Sequence, residues 1–301
     1  MQIEMIDNEL FPVNENMSVQ VKKTGHITEV KSCLREFKQT IQKVSAEEYI
    51  VIDTGELRQY KHTEKRLENP VSIKQSMRNL RDIINTNCTD TRKIKFLTLT
   101  YRENMQDTAK LYRDVKNFHK RFRYHLKGKK FEYISIIEPQ GRGSLHIHEL
   151  LIFNSYAPFI ANDILEKIWG NGFVKITNVN NVDNLGAYLS AYLTDIPIEQ
   201  ANLNDIKSLS NIKEIVSDDN GKTINKHIIK GGRLKYYKRG IHYYRCSRGI
   251  KRPTIIKCPY HVAMDMVKTS ALTYEKTIKL SDDTEQTINI INYKQYRISK
   301  P

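Results

Sequence analysis

Hydrophobic positions along the chain follow two different periods, and the changes between them mark out elements. "IKFLTLTY", residues 94–101, is a short run rich in Ile, Leu, Thr and Phe and reads as a strand. Thr98 and Thr100 share one face of it, while Phe96 and Tyr101 fall on opposite faces. From Asp107 to Leu126 the period lengthens. Leu111, Val115, Phe118, Phe122 and Leu126 form a helical apolar stripe, with Lys110, Arg113, Lys116, Lys120 and Arg123 opposite. "FEYISIIE" and "LHIHELLIF" return to strand character around the turn-rich "PQGRGS" and predict an antiparallel hairpin. "ANDILEKIWG" predicts a short helix ending at Gly170, "GFVKITNV" a strand, and "VDNLGAYLSAYLTD" a helix that stops before Pro197. The order from residue 94 is β-α-β-β-α-β-α. Its first six elements match the split βαβ, ferredoxin-like arrangement. The expected class is therefore α+β: an antiparallel sheet with helices on one face and the other face free to work, plus N- and C-terminal extensions.

The flanks are less regular. Residues 1–90 read as an N-terminal extension with a strand at "EYIVID", a turn at Thr54-Gly55 and a helix at "SIKQSMRNLRDIINTN". That helix spaces Ile73, Met77, Leu80 and Ile84 on one side and has Ser72 as its candidate N-cap. Residues 91–198 form the expected core, 199–225 a polar loop or insertion, and 226–301 a basic, tyrosine-rich region whose tail predicts a hairpin turning at "SDDTEQ". No repeat and no low-complexity tract is present.

Charge narrows the partners. The 301 residues are 39% hydrophobic and 28% charged, with a formal net charge of +15 and a pI near 9.5. Such a balance points to a polyanion, nucleic acid or an anionic membrane surface. No apolar run approaches the ~20 residues of a spanning helix. The first residues lack the basic and apolar regions of a signal peptide. Cys33, Cys88, Cys246 and Cys258 form no CxxC pair, so a reduced, cytoplasmic setting is expected over disulfides or a zinc ribbon. Residues 221–260 hold twelve Lys or Arg and no Asp or Glu, with Tyr236, Tyr237, Tyr243, Tyr244 and Tyr260 among them. Mixed cations and aromatics suit a single strand, by phosphate pairing and base stacking. The same pattern also describes a basic hairpin whose tyrosines pack on a core.

Candidate chemistry centres on His146 and His148, which share a strand face. Glu138 precedes His146 by eight residues, and a hairpin closed by residues 139–145 brings its carboxylate near the pair. Two imidazoles and a carboxylate make a mixed N/O set suited to Mg²⁺ or Mn²⁺. Glu149 points to the other face, and "HELLI" is not the H-E-x-x-H of a zinc protease. A pair of strand histidines is also commonly structural. Tyr188 and Tyr192 lie four apart on the last helix and share a face. A tyrosine hydroxyl can attack a phosphodiester; a helix–sheet interface uses the same residues for packing.

These segments resemble the HUH endonucleases, in particular rolling-circle replication initiators of phages and plasmids. "FLTLTY" resembles their first strand motif, "LHIHELLIF" their His-hydrophobe-His motif and "AYLSAYL" their tyrosine motif, over roughly residues 94–196. "KGGRLKYYKRGIHYYRCSRGIKRP" is similar to the downstream part of phage- and mobile-element-type replication proteins. The resemblance implies metal-dependent, strand-specific DNA nicking. Tyr188, alone or with Tyr192, would keep the 5′ phosphate, and His146, His148 and Glu138 would hold the ion. It implies a single-stranded or hairpin DNA origin as partner. With no P-loop in the chain, helicase and polymerase would come from the host. Lys116, Lys120, Arg123, Arg233, Lys235, Lys238, Arg239, Arg245 and Arg248 are the candidate DNA contacts. The family's tyrosine motif often carries a lysine where this chain has Ala191, which leaves a one- or two-tyrosine mechanism open. The same chemistry would serve a conjugative relaxase or a transposase. A non-enzymatic single-strand binder is the rival from another class. A duplex-reading regulator lacks a strong helix-turn-helix signal.

Overall fold

The computed structural model describes residues 2–37, 39–60, 70–140, 143–177, 179, 184–197, 212–219, 222–229, 232–237 and 241–298. The chain divides into two compact units, residues 1–63 with 253–301, and residues 64–252.

The first unit is built from both flanks. The N-terminal stretch gives β1 (Gln2–Ile6), β2 (Ser18–Thr24), β3 (Ile27–Cys33), β4 (Ile41–Lys43), β5 (Glu48–Val51) and β6 (Leu57–Gln59). The expected "EYIVID" strand is β5, and Gly55 turns the chain toward β6 with φ +70°. In the second unit come α1 (Pro70–Asn87), β7 (Ile94–Tyr101), α2 (Thr108–His125), β8 (Phe131–Pro139), β9 (Leu145–Phe153), α3 (Asn162–Trp169), β10 (Gly172–Thr177), α4 (Leu185–Thr194), β11 (Ile196–Pro197), β12 (Ile212–Asp219), β13 (Lys222–Ile229) and β14 (Tyr244–Cys246). The C-terminal stretch returns to the first unit with β15 (Thr254–Pro259), the helix α5 (Tyr260–Val267), β16 (Ala271–Ser281) and β17 (Thr287–Arg297). Six strands pair in the order β1-β16-β17-β3-β2-β15, all antiparallel. The expected tail hairpin is β16–β17. The two flanks, read from sequence as separate extensions, thus interleave in one sheet.

In the second unit the sheet order is β10-β7-β9-β8-β14, again antiparallel. Numbering β7 to β10 as strands one to four, the order is four-one-three-two, that of the split βαβ unit. Asp107 caps α2 by accepting from the Ala109 and Lys110 amides at 2.8 and 3.1 Å. The predicted stripe Leu111, Val115, Phe118, Phe122 and Leu126 is buried on Leu97, Leu99, Ile137, Ile147 and Leu151. Gly170 ends α3 in the left-handed conformation, φ +74°. Trp169 packs between α2 and β7 and donates to the Thr100 carbonyl at 3.0 Å.

The opposite face departs from expectation. Rather than standing free, it is covered by α1 and α4, which lie outside the split βαβ unit. Met77, Leu80, Ile83 and Ile84 of α1, with Leu185, Leu189 and Leu193 of α4, pack on Phe96, Ile134, Ile136 and Leu150. The apolar stripe of "SIKQSMRNLRDIINTN" required this, since an amphipathic helix buries its stripe against something. Helix α1 begins at Pro70, so Ser72 lies within its first turn rather than at the N-cap. Residues 212–229, read as polar loop, contain the antiparallel ladder β12–β13. A strand pairs through its backbone, so side-chain polarity alone did not reveal it.

Candidate metal and tyrosine site

The polar cluster grows out of strand pairing. In the β8–β9 ladder Glu138 stands directly opposite His146, and Ile136 opposite His148. Across β7–β9, Thr98 is opposite His148. Residues paired this way point to the same side, so Glu138, His146, His148 and Thr98 share one face. Within it His148 Nε2 hydrogen-bonds Glu138 Oε2, and His148 Nδ1 lies 3.1 Å from Thr98 Oγ1. Phe96 stacks on the His148 ring with centroids 5.5 Å apart. Gln140 Nε2 holds His146 Nδ1 at 3.0 Å.

Both carboxylate oxygens of Glu138 are engaged. Arg233 binds Oε1 at 2.5 Å, with both side chains almost wholly buried. Burial pushes the Glu138 pKa up, but the hydrogen bond from His148 and the positive charges of His148, Arg233 and His146 outweigh it and leave the carboxyl below its ordinary value. Arg233 therefore braces the candidate site from inside, which corrects its expected role as a surface DNA contact. Tyr237 follows on the same turn. It is buried, and its hydroxyl donates to the Leu193 carbonyl of α4 at 3.3 Å. Burial and the nearby Glu138 charge hold its pKa well above the ordinary phenol value, so it stays protonated. Tyr243 packs edge-on against it at 4.3 Å. For these two tyrosines of the basic region, packing rather than base stacking is what the structure gives.

The donor set fits a hard divalent cation in part. Thr98 can accept from His148 Nδ1, which leaves Nε2 to face Glu138 Oε2 across a shared proton. A cation takes the place of such a proton without rearranging the strands. Glu138 then offers one oxygen, because Arg233 occupies the other. Among the described residues no three His, Cys, Asp or Glu side chains form a ready cage. The Glu138–His148 pair is the part that fits as it stands, with His146 beside it on the same face.

Helix α4 lies over this face. Its amide end is capped by Asn184, whose Oδ1 accepts from the Ala187 amide at 2.9 Å. Leu185, Leu189 and Leu193 face the sheet, while Tyr188 is 46% exposed. The helix meets α1 at Gly186, whose amide donates to Asn85 Oδ1 at 2.9 Å. A Cβ there would lie 2.4 Å from the Arg81 carbonyl oxygen. Tyr188 thus stands at the solvent side of a helix pinned onto the histidine face. Tyr192 lies in the same helix, but its side chain is outside the described residues.

Residues 94–196 match the family described as Replication-associated protein ORF2. Through this segment the chain belongs to that family of rolling-circle replication initiators. No curated protein matches the chain. The matched segment runs from the first residue of β7 through the hairpin and α4, so it contains Thr98, Glu138, His146, His148 and Tyr188. Arg233 and Tyr237 lie beyond it.

Membership of a replication initiator family implies DNA binding, and the structure sorts the candidate contacts. Lys116, Lys120 and Arg123 of α2 meet Arg245 and Arg248 around one cavity on the far face of the sheet. Lys235 lies in the 3-10 turn Gly232–Tyr236 with its side chain outside the described residues; Lys238 and Arg239 lie outside them altogether. Among the described residues no helix is long and apolar enough to cross a membrane. Sequence reading missed Thr98, Gln140 and Arg233 as partners of the histidine and glutamate side chains. Thr98 was within reach, since its face was already fixed by alternation; Arg233, 95 positions from Glu138, was not.

Proposed function

We propose that this protein nicks and rejoins one DNA strand through a covalent 5′-phosphotyrosine on Tyr188, and so initiates rolling-circle replication of a phage, plasmid or mobile element. The observation that carries the reading is the shared face: Glu138, His146 and His148 lie on one side of β8–β9, and the exposed Tyr188 rides on the helix packed over that side. The family match over the same residues supports it.

In this reading the Tyr188 hydroxyl attacks the scissile phosphorus and loses its proton to solvent. The new bond joins phosphorus to the tyrosine oxygen, and the bond to the 3′ oxygen breaks. The freed 3′ hydroxyl serves as primer, and attack by another 3′ hydroxyl reverses the exchange without ATP. His146, His148 and one oxygen of Glu138 would hold Mg²⁺ or Mn²⁺, which supplies Lewis-acid stabilisation of the phosphate charge. Thr98 orients His148, Gln140 orients His146, and Arg233 keeps Glu138 ionised. Tyr192 is a second nucleophile if two transfers run on one chain.

The test uses 5′- and 3′-labelled single-stranded DNA from beside the gene, with Mn²⁺ or with EDTA, on denaturing gels. Label migrating with protein from the 5′ side of the cut, dependent on metal and lost in Tyr188→Phe, is expected. Full nicking by the Tyr188→Phe/Tyr192→Phe double variant would refute the assignment. Tight binding with no cleavage of any strand would leave a single-strand binder, the second reading, which the basic cavity on the far face favours.

A further inference from the structure

The histidine face is only one side of the sheet. On the other, the even spacing of the strands assembles a second polar group. Ser135 of β8 stands directly opposite Glu149 of β9. Glu149 Oε2 is 3.0 Å from His119 Nε2 of α2, with both residues buried, and the Tyr133 ring lies over the His119 ring at 3.9 Å. The other two oxygens, Ser135 Oγ and Glu149 Oε1, are buried and have no hydrogen-bond partner among the described residues. Orphaned buried oxygens each cost on the order of 1–3 kcal/mol and so call for a partner from outside the chain.

Above them opens a cavity of about 600 Å³ with Ser135 and His119 in its lining, within the ~300–1,000 Å³ usual for small-molecule sites. Its rim holds Lys116, Lys120, Arg123, Arg245 and Arg248 and, among the described residues, no acidic one. The Arg245 guanidinium lies 3.3 Å from the Tyr112 ring centroid. A cationic rim selects an anion, aromatic walls select a flat ring, and a carboxylate behind the floor selects a ligand that donates.

We infer that this cavity binds a single unstacked nucleotide of the DNA strand, with its phosphate on the Lys/Arg rim and the exocyclic amine of its base directed to Ser135 and Glu149. The site lies across the sheet from the histidine face, so it reads the strand without touching the reacting phosphate. The choice of DNA as source rests on the nicking function proposed above; the pocket chemistry does not. Thymine has no exocyclic amine, so the pocket discriminates against it.

The experiment is calorimetric titration of the full chain with dAMP, dCMP, dGMP, dTMP and inorganic phosphate. At least one amine-bearing nucleotide is expected to bind tenfold or more tightly than dTMP and phosphate. Ser135→Ala and Glu149→Gln should each erase most of that preference while leaving phosphate affinity within twofold. Unchanged Trp169 fluorescence would verify that both variants remain folded. A short single strand of the preferred base should displace the mononucleotide, and a strand of thymine alone should not. His148→Ala should lose nicking yet keep nucleotide binding, which separates this site from the proposed catalytic one. Equal binding of all four nucleotides and phosphate, preference unchanged in both variants, or no binding at all would overturn the inference. Failure of the preferred strand to compete would overturn its assignment to DNA.

Discussion

Replacing Arg233 by Met tests whether that residue braces the candidate site or contacts DNA. Its guanidinium is 2.5 Å from Glu138 Oε1, and the two side chains are 8% and 5% exposed. At that depth solvent screening is slight, and removing one partner of a buried ion pair typically costs about 3–5 kcal/mol, because the remaining charge stays desolvated. Glu138 keeps its bond from His148, so the lower end, about 3 kcal/mol, is the expectation for Arg233→Met. The chain has one tryptophan, Trp169, fully buried in the core of the second unit. Urea unfolding followed by its fluorescence therefore reports that unit. Glu138→Gln/Arg233→Met removes both charges and should recover most of the loss. Acid titration supplies a second readout. The folded Glu138 pKa is lowered, so its contribution is present above the unfolded value of about 4.3 and fades as pH falls through the folded one. Without Arg233 one lowering cause is gone, and the acid loss should begin at higher pH. A cost below about 1 kcal/mol, or a double variant no more stable than the single, would refute the reasoning. So would a tenfold loss of DNA affinity with stability unchanged.

Other expectations follow from the same geometry. Gly186→Ala puts a methyl against the Arg81 backbone; it should destabilise the second unit by about 1–3 kcal/mol and slow nicking by shifting α4, both measurable on one preparation. Thr98→Val removes the hydroxyl at His148 Nδ1; Mn²⁺ affinity by calorimetry should fall about 10–100-fold with stability little changed. Tyr188→Phe alters a side chain nearly half exposed and should change stability by less than about 0.5 kcal/mol while abolishing the adduct. Arg245→Ala and Arg248→Ala should each reduce the slope of log affinity against log salt for single-stranded DNA by about 0.7.

What could be read from the sequence was what repeats locally. Alternation set β7, β8 and β9, and with them the shared face of Glu138, His146 and His148 and the opposite placement of Glu149. The stripe from Leu111 to Leu126 set α2. The pairing of the split βαβ strands follows from their order, which local signals delivered. What was hidden depends on chain distance. Neither β3 nor β17 carries a mark naming the other, so the joint sheet of the two flanks was unreadable. Arg233 sits in a run of cations that looks like a solvated surface, and only the fold shows one of them turned inward. The cover of the histidine face by α1 was half legible: its apolar stripe demanded a partner, without saying which.

The interleaved sheet also sets an order of events. Strand β3 ends at Cys33, and its neighbour β17 begins at Thr287. The whole second unit, residues 64–252, is threaded between them as an insertion. During synthesis at ~5–20 residues per second, β2 and β3 emerge early and wait with an open edge until the last strands leave the ribosome. The inserted unit is continuous in sequence and has its own cores, so its elements are all available first. Vectorial synthesis thus favours completion of the histidine-bearing unit before closure of the sheet that holds both chain ends, and the long loop between β3 and β17 makes that closure the slow, late step.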